Sequence, residues 1–200
     1  MILASASRIR SQILARSGVK HRCISSNIDE EKIKKNFGKK GSSAETVAII
    51  LSEARAMAVA KELVFLGKTK HFIISANQIL ECEGRWFNKP LNKSTARETL
   101  LALRGKTHHV ISAVTVFHGK ECLWRYCETP ALEMRNFSDS FLEGYLKSSM
   151  PEIFESVGAY RLEGSGLQLF STTDGDYFTI LVFPLLALLG FLREQNILAK

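Results

Sequence analysis

The stretch IISANQILEC, residues 73–82, has the pattern of a buried strand interrupted by two side-chain amides. Its apolar run stops at Ala76, meets Asn77 and Gln78, and then resumes. A short apolar run bounded by turn residues is typical of a strand buried in a sheet. A reactive site at the end of such a strand would more naturally hold an acid, so the amides raise the question of what position 77 does.

The composition is that of a globular protein with a core and a basic surface. The chain has 200 residues, 46% of them hydrophobic, and a formal net charge of +7. This charge favours anionic partners such as nucleotides, nucleic acid or an acidic surface, although a generally basic protein has the same total. The sequence lacks RNP, KH and helix-turn-helix signatures, which argues against a specific nucleic-acid partner.

The cysteines and the apolar segments predict a cytoplasmic protein that does not span a membrane. The four cysteines form no C-x-x-C pair, and no secretory signal opens the sequence, so we expect reduced thiols. The apolar run 180–192 contains Pro184 and is shorter than the ~20 residues that a bilayer requires. We interpret it as a buried strand followed by a helix.

Strands and helices alternate irregularly along the chain, which predicts an α/β protein with a mixed sheet. Helices are predicted for residues 8–17, 94–103 and 138–146. A further helix begins with a capping box formed by Ser42 and Glu45, and the last helix begins at Pro184. The predicted strands cover 2–4, 73–82, 85–87, a hairpin around Gly119, and a glycine-rich pair within 158–183. The lysine-rich segment 31–42 is interpreted as an exposed loop.

The segment LASASRIR, residues 3–10, is the strongest local indication of an anion site. Helix N-termini present free N–H groups that bind phosphate, whereas arginines in a first turn oppose the helix dipole. Ser5, Ser7, Arg8 and Arg10 are therefore best explained by a bound anion. The alternative is that the serines cap the helix and the arginines are solvated.

Three further positions carry chemistry that is weak when each is taken alone. Asp29 and Glu30 could form a Mg²⁺ or Mn²⁺ ligand pair, or belong to an acidic surface. Lys89 precedes Pro90, which restricts it to an extended geometry that suits a cleft or a surface turn. Glu163 lies in a glycine-rich segment, which either allows a ligand to approach the backbone closely or forms an ordinary turn.

The order of these motifs resembles the Maf family of nucleoside triphosphate pyrophosphatases. The matching segments run through nearly the whole chain: LASASRIRSQIL, NIDEE, LSEARAMAVA, SANQIL, NKP, LRGKTHHVISAV, GAYRLEGSG and GDYFTILVFPL. The resemblance implies an inosine triphosphate pyrophosphatase-like fold, a two-lobed mixed sheet flanked by helices, in which residues 1–200 form one domain with a central cleft. It also implies hydrolysis of a nucleoside triphosphate to the monophosphate and diphosphate with a divalent metal, Mg²⁺ or Mn²⁺.

The resemblance also assigns roles to individual residues. It places the phosphate cradle on Ser5, Ser7 and Arg10. The acidic residue of the family's D-E step falls on Glu30. The basic residue of a family helix falls on Arg55, and the lysine of the family's K-P step falls on Lys89. The family's essential aspartate, the proton acceptor and metal contact, falls on Asn77, so that the implied metal ligands are Glu30 and Asn77. Cations and a metal would neutralise charge that develops on phosphate oxygens.

Three positions look like the base-selecting residues of the family. Members that act on dTTP and UTP show S-P-R-R, A-D-T and I-Q-G, whereas this chain has Ile9, Gln78 and Glu163 at the discriminating places. This pattern resembles the 7-methyl-GTP pyrophosphatase subfamily. A carboxylate could accept hydrogen bonds from the guanine edge and suits a cationic methylated purine. Thr179 and Val182 stand where the family tends to asparagine and glycine.

An amide at position 77 cannot accept a proton near neutral pH and is a weak metal ligand. The loss of a positioned base typically lowers a rate by ~10²–10⁴-fold. Three explanations stay open: a slow enzyme that relies on the metal or Glu30, a nucleotide-binding regulator without turnover that is linked to cell division, or an engineered substitution. A homodimer is the candidate assembly of the protein.

Overall fold

A mixed β-sheet forms the framework of the protein in the computed structural model, which describes residues 1–38, 41–68 and 70–199. The strands within these ranges are β1 (Ile2–Leu3), β2 (Arg22–Cys23), β3 (Phe72–Cys82), β4 (Arg85–Phe87), β5 (Thr107–His118), β6 (Glu121–Glu128), β7 (Ala131–Met134) and β8 (Phe170–Asp174). Their order is β2-β1-β3-β5-β7-β8, with β4 paired to β3 and β6 paired to β5. β1 runs parallel to β2 and β3, whereas the hairpins are antiparallel. The predicted α/β class with a mixed sheet is confirmed.

Helices flank this sheet. They are α1 (Arg8–Arg16), α2 (Glu30–Gly38), α3 (Ala44–Phe65), α4 (Lys93–Leu103), α5 (Asp139–Ser149), α6 (Tyr177–Leu181) and α7 (Leu185–Glu194) within the described ranges, with 3₁₀ helices at Glu152–Glu155 and Ser165–Leu169. None of the described helices is both long and apolar enough to cross a bilayer. The four cysteines are free thiols.

β3 runs through the two amides without a break. Asn77 and Gln78 occupy its sixth and seventh positions, and the strand continues to Cys82. The predicted strand 73–82 is therefore confirmed, because backbone pairing does not depend on an apolar side chain. What the amides change is the chemistry of the strand's faces, since successive side chains point to opposite sides of a sheet.

The lysine-rich segment is a helix rather than the loop that composition indicated. The Asp29 carboxylate accepts a hydrogen bond of 2.9 Å from the Lys32 backbone N–H, which caps the start of α2. Ile33 and Phe37, four residues apart, are half-buried, and α2 packs against α3. Residues 39 and 40 of the predicted loop lie outside the described residues. α3 is capped by Ser43 rather than by Ser42.

The predicted glycine-rich strand pair within 158–183 is also wrong, because only β8 is a strand there. The Asp176 carboxylate accepts hydrogen bonds from the backbone N–H of Thr179 at 2.7 Å and from its hydroxyl at 2.9 Å, which starts α6. A Cβ at Gly166 would lie 2.3 Å from the Arg161 carbonyl oxygen, so this glycine permits a tight turn instead. The predicted strand near residue 180 is therefore helical.

The chain divides into two compact units. Unit one comprises Met1–Asn77, Ser112–Glu128 and Val182–Lys200, and unit two comprises Gln78–Ile111 and Thr129–Leu181. The core of unit one packs α3 against β1, β3 and β5 through Ile2, Ala4, Ala56, Val59, Ala60, Leu63, Ile73 and Phe117. The core of unit two includes Leu80, Leu100, Leu103, Leu142, Leu146 and Leu169.

Unit two contains a buried histidine that the sequence analysis left without a role. His108 is fully buried, and its Nε2 is hydrogen bonded to the Tyr160 hydroxyl at 3.0 Å. Its ring also contacts Phe170, at a centroid distance of 5.9 Å. Burial, with a smaller contribution from neighbouring His109, lowers the pKa of His108 from 6.5 to about 4. The imidazole is therefore neutral at neutral pH.

This depressed pKa predicts acid sensitivity. Because the folded state binds the proton less readily than the unfolded state, the contribution of His108 is fully present above pH 6.5 and is lost as the pH falls through about 4. We expect the free energy of unfolding to fall by up to about 3 kcal/mol over this window on account of His108. Denaturant titrations at pH 7 and pH 4.5 measure the free energy of unfolding of the parent and of the His108→Gln variant, whose glutamine side chain cannot ionise.

The exposed neighbour supplies the control. His109→Gln should keep the acid dependence of the parent, whereas His108→Gln should flatten it. An equal loss of stability in His108→Gln and the parent would exclude His108 as its source.

Candidate functional site

The serine turn of unit one is a capping structure at the start of α1. The Ser5 hydroxyl oxygen accepts a hydrogen bond of 3.2 Å from the Ser7 backbone N–H, and the Ser7 hydroxyl accepts one of 3.4 Å from the Arg10 N–H. Ser7 therefore caps the helix, as the alternative held for the serines, whereas Ser5 binds the backbone of the cap residue. The first turn of α1 contains no acidic residue, so its partial positive charge stays available to an anion.

Arg10 reaches from α1 to the strand that carries the two amides. Its Nη1 donates a hydrogen bond of 2.7 Å to the Ala76 carbonyl oxygen, although 66 residues separate the two in sequence. The residue is only 9% exposed. Burial, and then the charge of Arg55, lowers the pKa of Arg10 to about 9, while Glu30 acts in the opposite direction. Arg10 is therefore still a cation at neutral pH.

Arg55 and Glu30 form an ion pair next to this cation. Arg55 lies on α3, and its Nη2 donates to a carboxylate oxygen of Glu30, the first residue of α2. The Arg55 Nε is buried and has no hydrogen-bond partner within residues 1–38, 41–68 and 70–199. The pair leaves a donor of Arg55 unused, because a guanidinium carries five N–H groups.

Asn77 is buried beside the strand residue that Arg10 contacts. It is 3% exposed, and its amide nitrogen has no partner in the described part of the chain. Residues 73, 75 and 77 share one face of β3 because side chains alternate along a strand. Ile73 packs in the core with α3, so Asn77 lies on the α3 side of the sheet. The buried hydroxyl of Ser75, on the same face, is likewise unpaired among the described residues.

We call Arg10, Glu30, Arg55 and Asn77 the arginine cluster. It combines two guanidinium cations with one carboxylate, so its net charge is positive. Among the described residues, the buried side-chain atoms of the cluster without a partner are two nitrogens, Arg55 Nε and Asn77 Nδ2. An arrangement of this kind binds an anion rich in oxygen acceptors. Ile9 lies half-buried on α1, next to Arg10.

The arginine cluster does not fit a metal held by the protein alone. Mg²⁺ requires oxygen ligands, usually one or two carboxylates together with water and substrate phosphates. Glu30 is already engaged by Arg55, and Asp29 caps α2. The described ranges contain no group of three or more His, Cys, Asp or Glu side chains placed to hold a metal.

Gln78 has a structural role in unit two that the sequence did not reveal. Its amide nitrogen donates to the carbonyl oxygens of Thr179 at 3.0 Å and Ile180 at 3.1 Å, in α6. Both N–H groups of the side chain are thereby used, and the amide oxygen is the group that could meet a ligand. No local signal predicts this contact, because about 100 residues separate its partners.

The other two predicted residues of unit two lie at its surface. Lys89 is exposed and is followed by buried Pro90. Glu163 is also exposed, and its carboxylate accepts a hydrogen bond of 2.9 Å from the Arg161 Nε. Arg161 was missed by the sequence analysis, although its spacing from Glu163 within one turn could have indicated the pair. A ligand that uses Glu163 would share it with Arg161.

Comparison with known proteins extends over the whole chain. The family model described as Maf-like protein matches residues 1–195. A nucleoside triphosphate pyrophosphatase of Granulibacter bethesdensis is 40% identical over 198 residues, covering 99% of this chain and 98% of that protein. One of Paramagnetospirillum magneticum is 41% identical over 198 residues, covering 98% of each. A 7-methyl-GTP pyrophosphatase of Rhizobium meliloti is 36% identical over 194 residues, covering 97% and 95%. The chain belongs to the Maf family.

Proposed function

We propose that this protein is a hydrolase that cleaves a nucleoside triphosphate to the monophosphate and diphosphate. The observation that carries the proposal is the arginine cluster, a partly buried and positively charged group with N–H donors that have no partner among the described residues. Relatives of the same length that are named nucleoside triphosphate pyrophosphatases support it. A cytosolic location belongs to the same proposal.

The chemistry requires little covalent participation from the protein. Water attacks phosphorus at the α–β anhydride, the bridging P–O bond breaks, and diphosphate leaves with the electron pair. Negative charge accumulates on the phosphate oxygens, and fixed cations in a buried site stabilise it. Arg10 and Arg55 would supply this stabilisation, while the N-terminus of α1 offers backbone N–H groups.

The attacking water must also lose a proton. Glu30 is the carboxylate of the arginine cluster, and it can accept that proton only when its pairing with Arg55 loosens. Asn77 cannot serve as a base because an amide does not accept a proton near neutral pH. We therefore expect turnover to be slow in the parent protein. No step is assigned to a metal, because the described side chains do not form a metal site.

We propose a methylated guanine nucleotide as the preferred substrate class. Ile9, Gln78 and Glu163 carry the pattern that resembles 7-methyl-GTP pyrophosphatases, and the Rhizobium meliloti relative bears that name. Glu163 offers a carboxylate that could accept from the N1–H and N2–H₂ edge of guanine. Gln78 would act through its amide oxygen, since its N–H groups hold α6.

A screen for diphosphate release tests the proposed function. Common and modified nucleoside triphosphates, including UTP, GTP and 7-methyl-GTP, are incubated with the protein with and without Mg²⁺ or Mn²⁺. We expect repeated release of diphosphate from at least one nucleotide. Release of no more than one diphosphate per chain from any of them would contradict hydrolysis as the function.

A second candidate function is nucleotide binding without turnover, as in a regulator linked to cell division. The observation that favours it is Asn77, because the amide removes the proton acceptor. This candidate predicts nucleotide binding in the same screen with no diphosphate released.

Substitution of Glu163 by Gln tests the choice of base. Loss of a charged hydrogen bond to guanine should reduce the preference for 7-methyl-GTP over UTP by about 10- to 100-fold, equivalent to ~1.5–3 kcal/mol. The measurement is the ratio of kcat/KM values, or of dissociation constants if turnover is absent. Glu152→Gln, at an exposed glutamate of the same unit, is the matched control. A lower overall rate with an unchanged ratio would show that Glu163 does not select the base.

A further inference from the structure

We infer that the arginine cluster binds inorganic diphosphate, or the diphosphate portion of a nucleotide, directly and without a divalent metal ion. The inference deepens the proposed function and rests on it for the class of ligand. It concerns the requirement for metal, which the resemblance implies and which the side chains of this chain do not support.

The charge of the arginine cluster favours a bare diphosphate over a metal ion. Arg10 and Arg55 contribute two buried or half-buried cations, Glu30 offsets one of them, and Asn77 contributes no charge. An excess buried cation is costly unless an anion pairs with it. A metal-free diphosphate supplies several negative charges to this cluster, whereas a divalent ion bound at the same place would add to the excess positive charge.

The hydrogen-bonding groups of the arginine cluster also favour a phosphate over a metal ion. Two buried nitrogens of the arginine cluster, Arg55 Nε and Asn77 Nδ2, lack partners within residues 1–38, 41–68 and 70–199. Buried donors without acceptors are rare because each costs free energy. Phosphate oxygens accept such bonds, whereas a metal ion cannot. Glu30, the acceptor that could bind a metal, already accepts from Arg55.

The asparagine at position 77 likewise favours a phosphate without a metal ion. An aspartate there would have nearly the same shape as the asparagine. Arg10, Arg55 and Glu30 together give the cluster a formal charge of +1, which an aspartate would reduce to zero. The substitution would also replace a hydrogen-bond donor by an acceptor. It would repel a bare diphosphate and attract a cation. The amide therefore converts a place for a metal–phosphate complex into a place for the phosphate alone.

The test is titration calorimetry with inorganic diphosphate, on the full chain, in EDTA and in Mg²⁺. We expect the parent to bind diphosphate in EDTA at least as tightly as in Mg²⁺. Asn77→Asp should weaken binding in EDTA by about 10-fold or more, equivalent to ~1.4 kcal/mol, and Mg²⁺ should restore it. Arg16→Gln, at an exposed arginine in the last turn of α1, should bind like the parent.

Two results would overturn the inference. One is a parent protein that binds diphosphate only when Mg²⁺ is present, or in neither condition. The other is an Asn77→Asp variant whose metal dependence equals that of the parent. Should that variant unfold, the EDTA and Mg²⁺ titrations of the parent still decide. Failure of the proposed function gives a different result from failure of this inference. In that case no diphosphate is released from any nucleotide, while the protein still binds diphosphate in EDTA.

Discussion

Replacement of Asn77 by Asp should raise kcat for nucleoside triphosphate hydrolysis, measured in Mg²⁺, by about 100-fold or more. The variant places a proton acceptor at the position that the resemblance to the family assigns to an aspartate. An aspartate with its ordinary pKa near ~3.9 is ionised at neutral pH and can take the proton of the attacking water. The gain should appear in kcat, because the substitution changes a group that acts on the reacting water.

The structure gives reasons to expect that this variant folds. Asparagine and aspartate have nearly the same shape, so the packing around residue 77 on β3 is retained. The added negative charge lies one residue from Ala76, whose carbonyl oxygen binds the Arg10 guanidinium at 2.7 Å. A nearby cation favours the ionised carboxylate and offsets the cost of burying it.

Steady-state kinetics of both proteins on the best nucleotide of the screen measure the effect. Asn136→Asp, at an exposed asparagine, controls for a general effect of added charge. If Asn77→Asp folds, binds nucleotide and turns over no faster than the parent, the amide is not what limits the rate. The reading as a nucleotide binder without turnover would then be preferred.

Replacement of Arg10 by Met should weaken triphosphate binding by about 10- to 100-fold, which corresponds to the ~1.5–3 kcal/mol of a hydrogen bond to a charged group. Methionine fills much of the volume of the arginine stem but cannot pair with phosphate. Its effect on folding should be smaller, because removal of one cation also relieves its repulsion with Arg55.

Calorimetric titration of a nucleoside triphosphate into the folded variant measures this loss. Arg16→Met is the matched control, because Arg16 lies in the last turn of the same helix and is exposed to solvent. Affinity that is unchanged in Arg10→Met, or reduced equally in both variants, would remove Arg10 from the phosphate site.

Much of the fold could be predicted because its signals are local. The hairpin of β5 and β6 follows from two β-rich runs around Gly119, and Ser138 caps α5 as its position indicated. The errors arose where composition hid a local contact. The lysines of α2 suggested a loop, but Asp29 caps the helix and two apolar residues four apart bury one side of it. The glycines near residue 164 suggested strands, although they permit tight turns.

Candidate site residues could be named from the sequence, but their contacts could not. Arg10 was singled out because an arginine opposes the dipole of a first helical turn. Its bond to Ala76 and the pairing of Arg55 with Glu30 depend on how distant segments pack, which no local pattern encodes. The same holds for Gln78, whose anchoring of α6 joins segments about 100 residues apart.

A single-turnover experiment shows whether the protein hydrolyses a nucleoside triphosphate to the monophosphate and diphosphate. The protein is used in excess over a nucleoside triphosphate that is labelled in its γ-phosphate. Product release then does not limit the observed rate, and chromatography separates diphosphate from orthophosphate. The account predicts that the label appears in diphosphate with matching formation of monophosphate, slowly in the parent and faster in Asn77→Asp. Label that stays in the triphosphate with both proteins, or appears as orthophosphate, would contradict it.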